Sequence, residues 1–161
     1  MASNDPGSRE TVSTSDRMVD HPFDAPERAV LDIARRFFGT FATPQDHAWI
    51  SAFASAQQSF GGHGPAIAMR TVTAIQALRA SRTAAFSFIN PDCPCCRHRI
   101  VTEERYFLAI LHAVRRGRRS DAVLNAIFVC GGEDYDLLVA AMERVAAAMP
   151  VIDAGVAQPV D

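Results

Sequence analysis

Residues 102–117, with the sequence TEERYFLAILHAVRRG, decide the fold class. Four apolar residues follow the i, i+3, i+4, i+7 spacing of one helix face: Phe107, Ile110, Leu111 and Val114. Thr102 is predicted to cap this helix at its N-terminus, and Gly117 is predicted to end it. The stretch therefore predicts an amphipathic helix that packs one face against a core.

The same helical period continues in both directions from this segment. Near the start of the chain, Asp24 and Glu27 have the spacing of a capping box, and Pro26 lies in the first turn of the helix that follows. Six such segments joined by short connections predict an all-α bundle of about six short helices. A cysteine loop, with room for a small hairpin, separates the third segment from the fourth.

The two ends of the chain lack this period. Residues 1–22 are rich in Ser, Thr, Asp and Pro, so they bury too little apolar surface to offset the entropy of ordering. We therefore predict a disordered tail over 1–22, a helical domain over 23–150 and a flexible tail over 151–161.

The cysteine loop carries the strongest chemical signal. Residues 91–98 read PDCPCCRH, and Cys93 and Cys96 have the C-x-x-C spacing that directs two sulfurs at one ion. Pro94 stiffens the turn between them. Because zinc in proteins prefers four nitrogen or sulfur ligands in a tetrahedron, this loop predicts a zinc site.

Two further ligands are needed to complete that site. Cys130 shares a helix face with Ile127 and Val123, so it is predicted to point inward. His98 follows the C-x-x-C pair by two residues, and His112 is a weaker candidate on a helix flank. The predicted ligands are Cys93, Cys96, His98 and Cys130, with Cys95 as the alternate.

Two other chemistries use the same residues. Four thiolates, from Cys93, Cys95, Cys96 and Cys130, would hold an iron–sulfur cluster if they converged. Alternatively, a reactive thiolate at Cys93 would form a reversible disulfide with Cys96, which is typical of thiol redox proteins.

The composition indicates which class of protein this is and where in the cell it is located. The chain has 161 residues, of which 48% are hydrophobic and 21% charged, as in ordinary globular proteins. Its apolar runs are shorter than the ~20 residues of a membrane-spanning helix, and its first residues do not resemble a secretion signal. We therefore expect a cytoplasmic protein that is not embedded in a membrane.

Charge bears on the choice of partner. The net charge is −2, yet residues 90–119 carry seven arginines and three acidic residues. The Arg97–Arg119 segment is thus a candidate surface for nucleic acid, but a near-neutral chain lacks the basic excess of most such proteins. The sequence also lacks a catalytic constellation, so the interpretation we favour is a regulatory or adaptor protein, not an enzyme, that binds a protein partner.

Overall fold

A computed structural model describes residues 15–132 and 134–151 of the chain. Within these residues the fold contains six α-helices and a two-stranded sheet. The helices are α1 (Ala25–Ala42), α2 (Ala48–Phe60), α3 (Gly64–Ser81), α4 (Thr102–Arg115), α5 (Arg119–Cys130) and α6 (Asp136–Ala148). The strands are β1 (Ser15–Arg17) and β2 (Arg99–Val101). The predicted all-α bundle is confirmed.

The helices pack in pairs around one core. The most extensive contacts join α1 to α2, α3 to α6 and α4 to α5, while α3 also touches α1 and α2. The largest fully buried side chains come from four of the helices and from β2: Phe107, Leu31, Ile33, Ile67, Ile75, Leu78, Ile100, Leu108, Ile110, Leu111, Leu138 and Met142. The predicted inner face of α4 contributes three of them, since only Val114 of that set is half-buried.

The predicted N-terminal cap is confirmed for helix α1 and is wrong for helix α4. At α1, Asp24 Oδ1 accepts the Glu27 N–H at 2.9 Å, and Glu27 Oε2 accepts the Asp24 N–H at 2.9 Å, which confirms the capping box. The predicted cap at Thr102 is wrong, because α4 begins at that residue. Glu104 acts there instead, accepting the Val101 N–H at 3.2 Å.

The sheet joins segments that are far apart in sequence. β1 pairs antiparallel with β2, with Ser15 opposite Val101 and Arg17 opposite Arg99. The small hairpin that we allowed within the cysteine loop is therefore replaced by a long-range pair. The segment between α3 and the cysteine loop, residues 82–90, forms neither a helix nor a strand.

This pairing also bears on the predicted tails. Residues 1–14 and 152–161 lie outside the described residues, but residues 15–17 form β1 and Met18 is buried. The folded part of the chain therefore begins before residue 23, because Met18 and Phe23 both enter the core. None of the described helices combines the length and hydrophobicity that crossing a membrane requires.

Candidate metal centre

The cysteine loop folds as one tight turn after Pro91. The Cys93 carbonyl accepts hydrogen bonds from the N–H groups of Cys96, at 3.2 Å, and Arg97, at 3.0 Å. The Cys93 N–H itself donates to the Asn90 carbonyl at 3.2 Å. These hydrogen bonds close a backbone turn, and the three cysteine side chains lie on the same side of it.

Three sulfur atoms meet on this turn. The Sγ atoms of Cys93, Cys95 and Cys96 all lie within 4.8 Å of one another. Cys93 and Cys96 are joined by a disulfide, with Cα atoms 5.3 Å apart, and Cys95 is a free, exposed thiol. The Cys95 Sγ lies 3.3 Å from the Cys93 Sγ and 3.7 Å from the Cys96 Sγ. Once reduced, the three sulfurs are close enough to share one metal ion.

A buried ion pair lies beside the residues where the cysteine turn begins and ends. Arg35 on α1 makes a two-pronged contact with Glu104 on α4, through Nε at 2.7 Å and a terminal nitrogen at 2.8 Å. Both side chains are almost fully buried, with 4% and 0% exposure. Because the pair is bidentate and charged, its geometry is strongly directional.

The same pair bonds the backbone on both sides of the cysteines. Arg35 donates to the carbonyls of Arg97, at 2.9 Å, and Arg99, at 2.6 Å. Glu104 accepts the Ile89 N–H, which precedes the turn, at 2.9 Å. Arg35 and Glu104 therefore clamp the entrance and the exit of the cysteine turn at one point of the core.

Two outer contacts support the turn at its surface. Arg36 donates to Asp92, directly before the first cysteine, at 3.1 Å. On the other side, the Met18 N–H donates to the His98 carbonyl at 2.9 Å, so the N-terminal segment braces the residues after the turn. The turn is therefore supported from α1 and from the residues next to β1.

Cys130 is not brought to this cluster. It is buried at the end of α5, where its Sγ lies 3.2 Å from Ser81 Oγ on α3. Burial raises the pKa of its thiol, an effect that the Ser81 hydrogen bond and the positive charge of Arg82 only partly offset. The inward orientation expected from the sequence is present, but Cys130 points into the helix core and keeps its proton at neutral pH.

The two histidine candidates also lie outside the sulfur group. His98 is exposed, and its Nε2 faces the Arg97 Nε at 3.5 Å. His112 is buried, with Nδ1 2.9 Å from Glu27 Oε2. Every cysteine and histidine of the chain lies within the described residues, and only the three cysteines form a group close enough to hold an ion. The four-thiolate arrangement of an iron–sulfur site is therefore not formed.

Sequence reasoning missed the clamp. Arg35 and Glu104 are 69 positions apart, and each looks locally like an ordinary helix residue. One local signal was present, since Glu104 follows Val101 by three residues, the spacing from which a side chain reaches back to a helix start. Arg35 carried a weaker one, because it lies four residues after Leu31 and three before Phe38, the spacing of one helix face.

Four of the seven arginines of the 97–119 segment pair with carboxylates. Arg115 and Arg116 both bond Glu27, at 2.9 and 2.6 Å, while Arg118 pairs with Asp121 at 3.0 Å. Arg119 also contacts Glu143. These pairs reduce the free positive charge that a nucleic-acid surface would offer.

Comparison with protein-family models, with curated proteins and with solved structures finds no match. The geometry of the described residues is therefore the basis for assigning a function.

Proposed function

We propose that the reduced chain binds one zinc ion through Cys93, Cys95 and Cys96, and that it acts as a regulatory or adaptor protein through a protein partner. The observation that carries the proposal is the convergence of three sulfurs within 4.8 Å on one clamped turn. Thiolate ligands select soft and borderline ions such as zinc over magnesium or calcium.

Binding requires the disulfide to be opened first. Two thiol equivalents from a cellular reductant supply two electrons and two protons, giving free thiols at Cys93 and Cys96 and one oxidised disulfide of the reductant. Zinc then displaces the protons of the three thiols as it binds. A reducing compartment, which we expect to be the cytoplasm, supplies such thiols.

The number of ligands supports the role in partner binding. Zinc is commonly four-coordinate, and closed structural sites take all four ligands from the protein. Here the cysteine turn supplies three, and the exposed Cys95 places the ion at the surface. The fourth position is left to water or to a side chain of a partner, so the ion would join this chain to that partner.

Zinc content of the reduced protein tests the proposal. Wild type and the Cys95→Ser, Cys96→Ser and Cys130→Ser variants are reduced without oxygen, loaded with zinc, desalted and titrated against a chromogenic chelator. We expect about one zinc per chain in wild type and in Cys130→Ser, and weaker binding in both cluster variants. Equal zinc loss in Cys130→Ser and Cys96→Ser, or no zinc in wild type, contradicts the proposal.

The disulfide supports a second candidate, a thiol redox protein. The free Cys95 thiol lies 3.3 Å from the Cys93 sulfur, close enough for exchange within the turn. The two functions differ in their response to chelators. A zinc site predicts slow alkylation that accelerates when the metal is removed, whereas a redox site predicts fast alkylation with or without chelator.

A further inference from the structure

A separate cavity of about 380 Å³ opens beside the C-terminal ends of α1 and α3. Segment 82–88 forms its outer wall, and none of the four cysteines lines it. The volume falls within the ~300–1,000 Å³ of small-molecule pockets. The cavity is therefore a candidate binding site that is independent of the cysteine cluster.

Aromatic rings form most of its apolar surface. Phe38 stacks on Phe86 with ring centroids 4.5 Å apart and lies 5.6 Å from Phe88. Phe41 adds a fourth ring and Leu78 closes the floor. Flat aromatic groups pack well against such rings in stacked or edge-to-face geometry.

The charged lining residues are both arginines. Arg82 is held in the wall, where it donates to the carbonyls of Ala84, Ala85 and Val129 at 3.0, 2.8 and 2.6 Å, and Glu103 lies 3.8 Å from it. Its role is to shape the cavity.

Arg79 is held more loosely. Its guanidinium lies 4.2 Å above the Phe41 ring, and among the described residues it makes one side-chain hydrogen bond, to Gln76 at 3.1 Å. The stacking places a positive charge with spare donors next to the aromatic surface.

We propose that this cavity binds a small aromatic carboxylate. The ring system packs against the exposed sides of the Phe38, Phe41 and Phe86 rings, and the carboxylate accepts hydrogen bonds from Arg79. Charge complementarity favours the anion, because no carboxylate of the described residues lines the cavity and guanidinium groups match carboxylates in geometry.

Calorimetric titration with 2-naphthoate and its neutral analogue 2-naphthamide tests the site. We expect saturable 1:1 binding of naphthoate to wild type and weaker binding of the amide. Arg79→Gln should weaken naphthoate binding by about threefold to tenfold, the range for a partly exposed charged contact, and should leave amide binding unchanged. Arg70→Gln, on the same helix but outside the cavity, is the matched control and should bind like wild type.

A blocking variant completes the experiment. Ala84 is exposed at the cavity wall, so Ala84→Trp should fill the opening and abolish binding of both compounds while the far-ultraviolet circular dichroism stays that of wild type. Absence of saturable naphthoate binding overturns the proposal. Equal binding by Arg79→Gln, equal binding of the amide, or unimpaired binding by a folded Ala84→Trp variant does so as well.

Discussion

At the scale of single residues, the four cysteines divide into two chemical environments. Cys93, Cys95 and Cys96 lie on a surface turn, whereas Cys130 is 5% exposed and lies against Ser81. The raised pKa of Cys130 keeps that thiol neutral, which makes it a poor ligand and a poor nucleophile. Position in the fold thus separates three cysteines that could hold a metal ion from a fourth that packs in the core.

Cys130→Ser tests this division through stability as well as zinc. The hydroxyl has Ser81 Oγ as a partner, so the free energy of unfolding should fall by only about 1 kcal/mol, the low end of the cost of a poorly satisfied buried polar group. Chemical denaturation of the metal-free protein measures it. A loss above about 3 kcal/mol would show that Cys130 has a larger role than packing.

Glu27 makes the stability of the fold depend on pH. Its side chain is fully buried, and burial alone would raise its pKa, but hydrogen bonds from His112, Arg116 and the Asp24 backbone outweigh that effect and lower the pKa below its usual value near 4.5. Because the lowered pKa belongs to the folded state, ionised Glu27 stabilises the fold above pH 4.5. That contribution is lost as the pH falls from 4.5 through the folded-state pKa.

Glu27→Gln should therefore lower the free energy of unfolding at pH 7 by about 3–5 kcal/mol, the usual cost of breaking a buried ion pair. It should also flatten the fall in stability below pH 4.5. Thermal unfolding across pH 3–7 checks both effects. Glu143→Gln, which removes an exposed partner of Arg119, is the control and should change little. An unchanged acid profile in Glu27→Gln would refute this account.

At the scale of elements, helices α1 and α4 position the cysteine turn through Arg35 and Glu104. Glu104→Gln leaves a buried arginine without its countercharge, so the free energy of unfolding should fall by about 3–5 kcal/mol. Zinc affinity of the reduced, folded variant should fall by about 10–100-fold, although no ligand is changed, as is usual when residues supporting a metal site are lost.

Glu103→Gln is the matched control for the clamp. Glu103 precedes Glu104 on the same helix, but its one ion pair with the described residues is a longer one, to Arg82 at 3.8 Å. We expect near wild-type stability and zinc affinity for this variant. If both glutamate variants bind zinc as wild type does, the clamp has no part in the metal site.

The junction of α2 and α3 depends on the absence of one side chain. A Cβ added at Gly64 would lie 2.5 Å from the Ala56 carbonyl oxygen, whereas one added at Gly62 would meet no atom of the described residues within 4 Å. Gly64→Ala should lower the free energy of unfolding by about 1–3 kcal/mol because the helices must move apart. Gly62→Ala is the control, and similar denaturation midpoints for the two variants would disprove the close contact.

At the scale of the whole molecule, the sequence predicts local features better than long-range ones. The capping box at Asp24 and the inner face of α4 depend on residues within one or two turns, so periodicity and spacing were sufficient. Periodicity also predicted that Cys130 lies on a buried helix face, but it does not predict which helix packs against that face. The β1–β2 pair and the Arg35–Glu104 clamp join residues more than 60 positions apart, and one sequence carries no direct signal for such contacts.

The coordination of zinc by the reduced cysteine turn can be measured on the metal itself. X-ray absorption at the zinc edge, on reduced protein loaded with one equivalent of zinc, tests it most directly. We expect three sulfur ligands at about 2.3 Å and one nitrogen or oxygen ligand at about 2.0 Å, with the same spectrum for Cys130→Ser and one sulfur fewer for Cys95→Ser. Fewer than three sulfurs in wild type, or loss of a sulfur in Cys130→Ser, would contradict it.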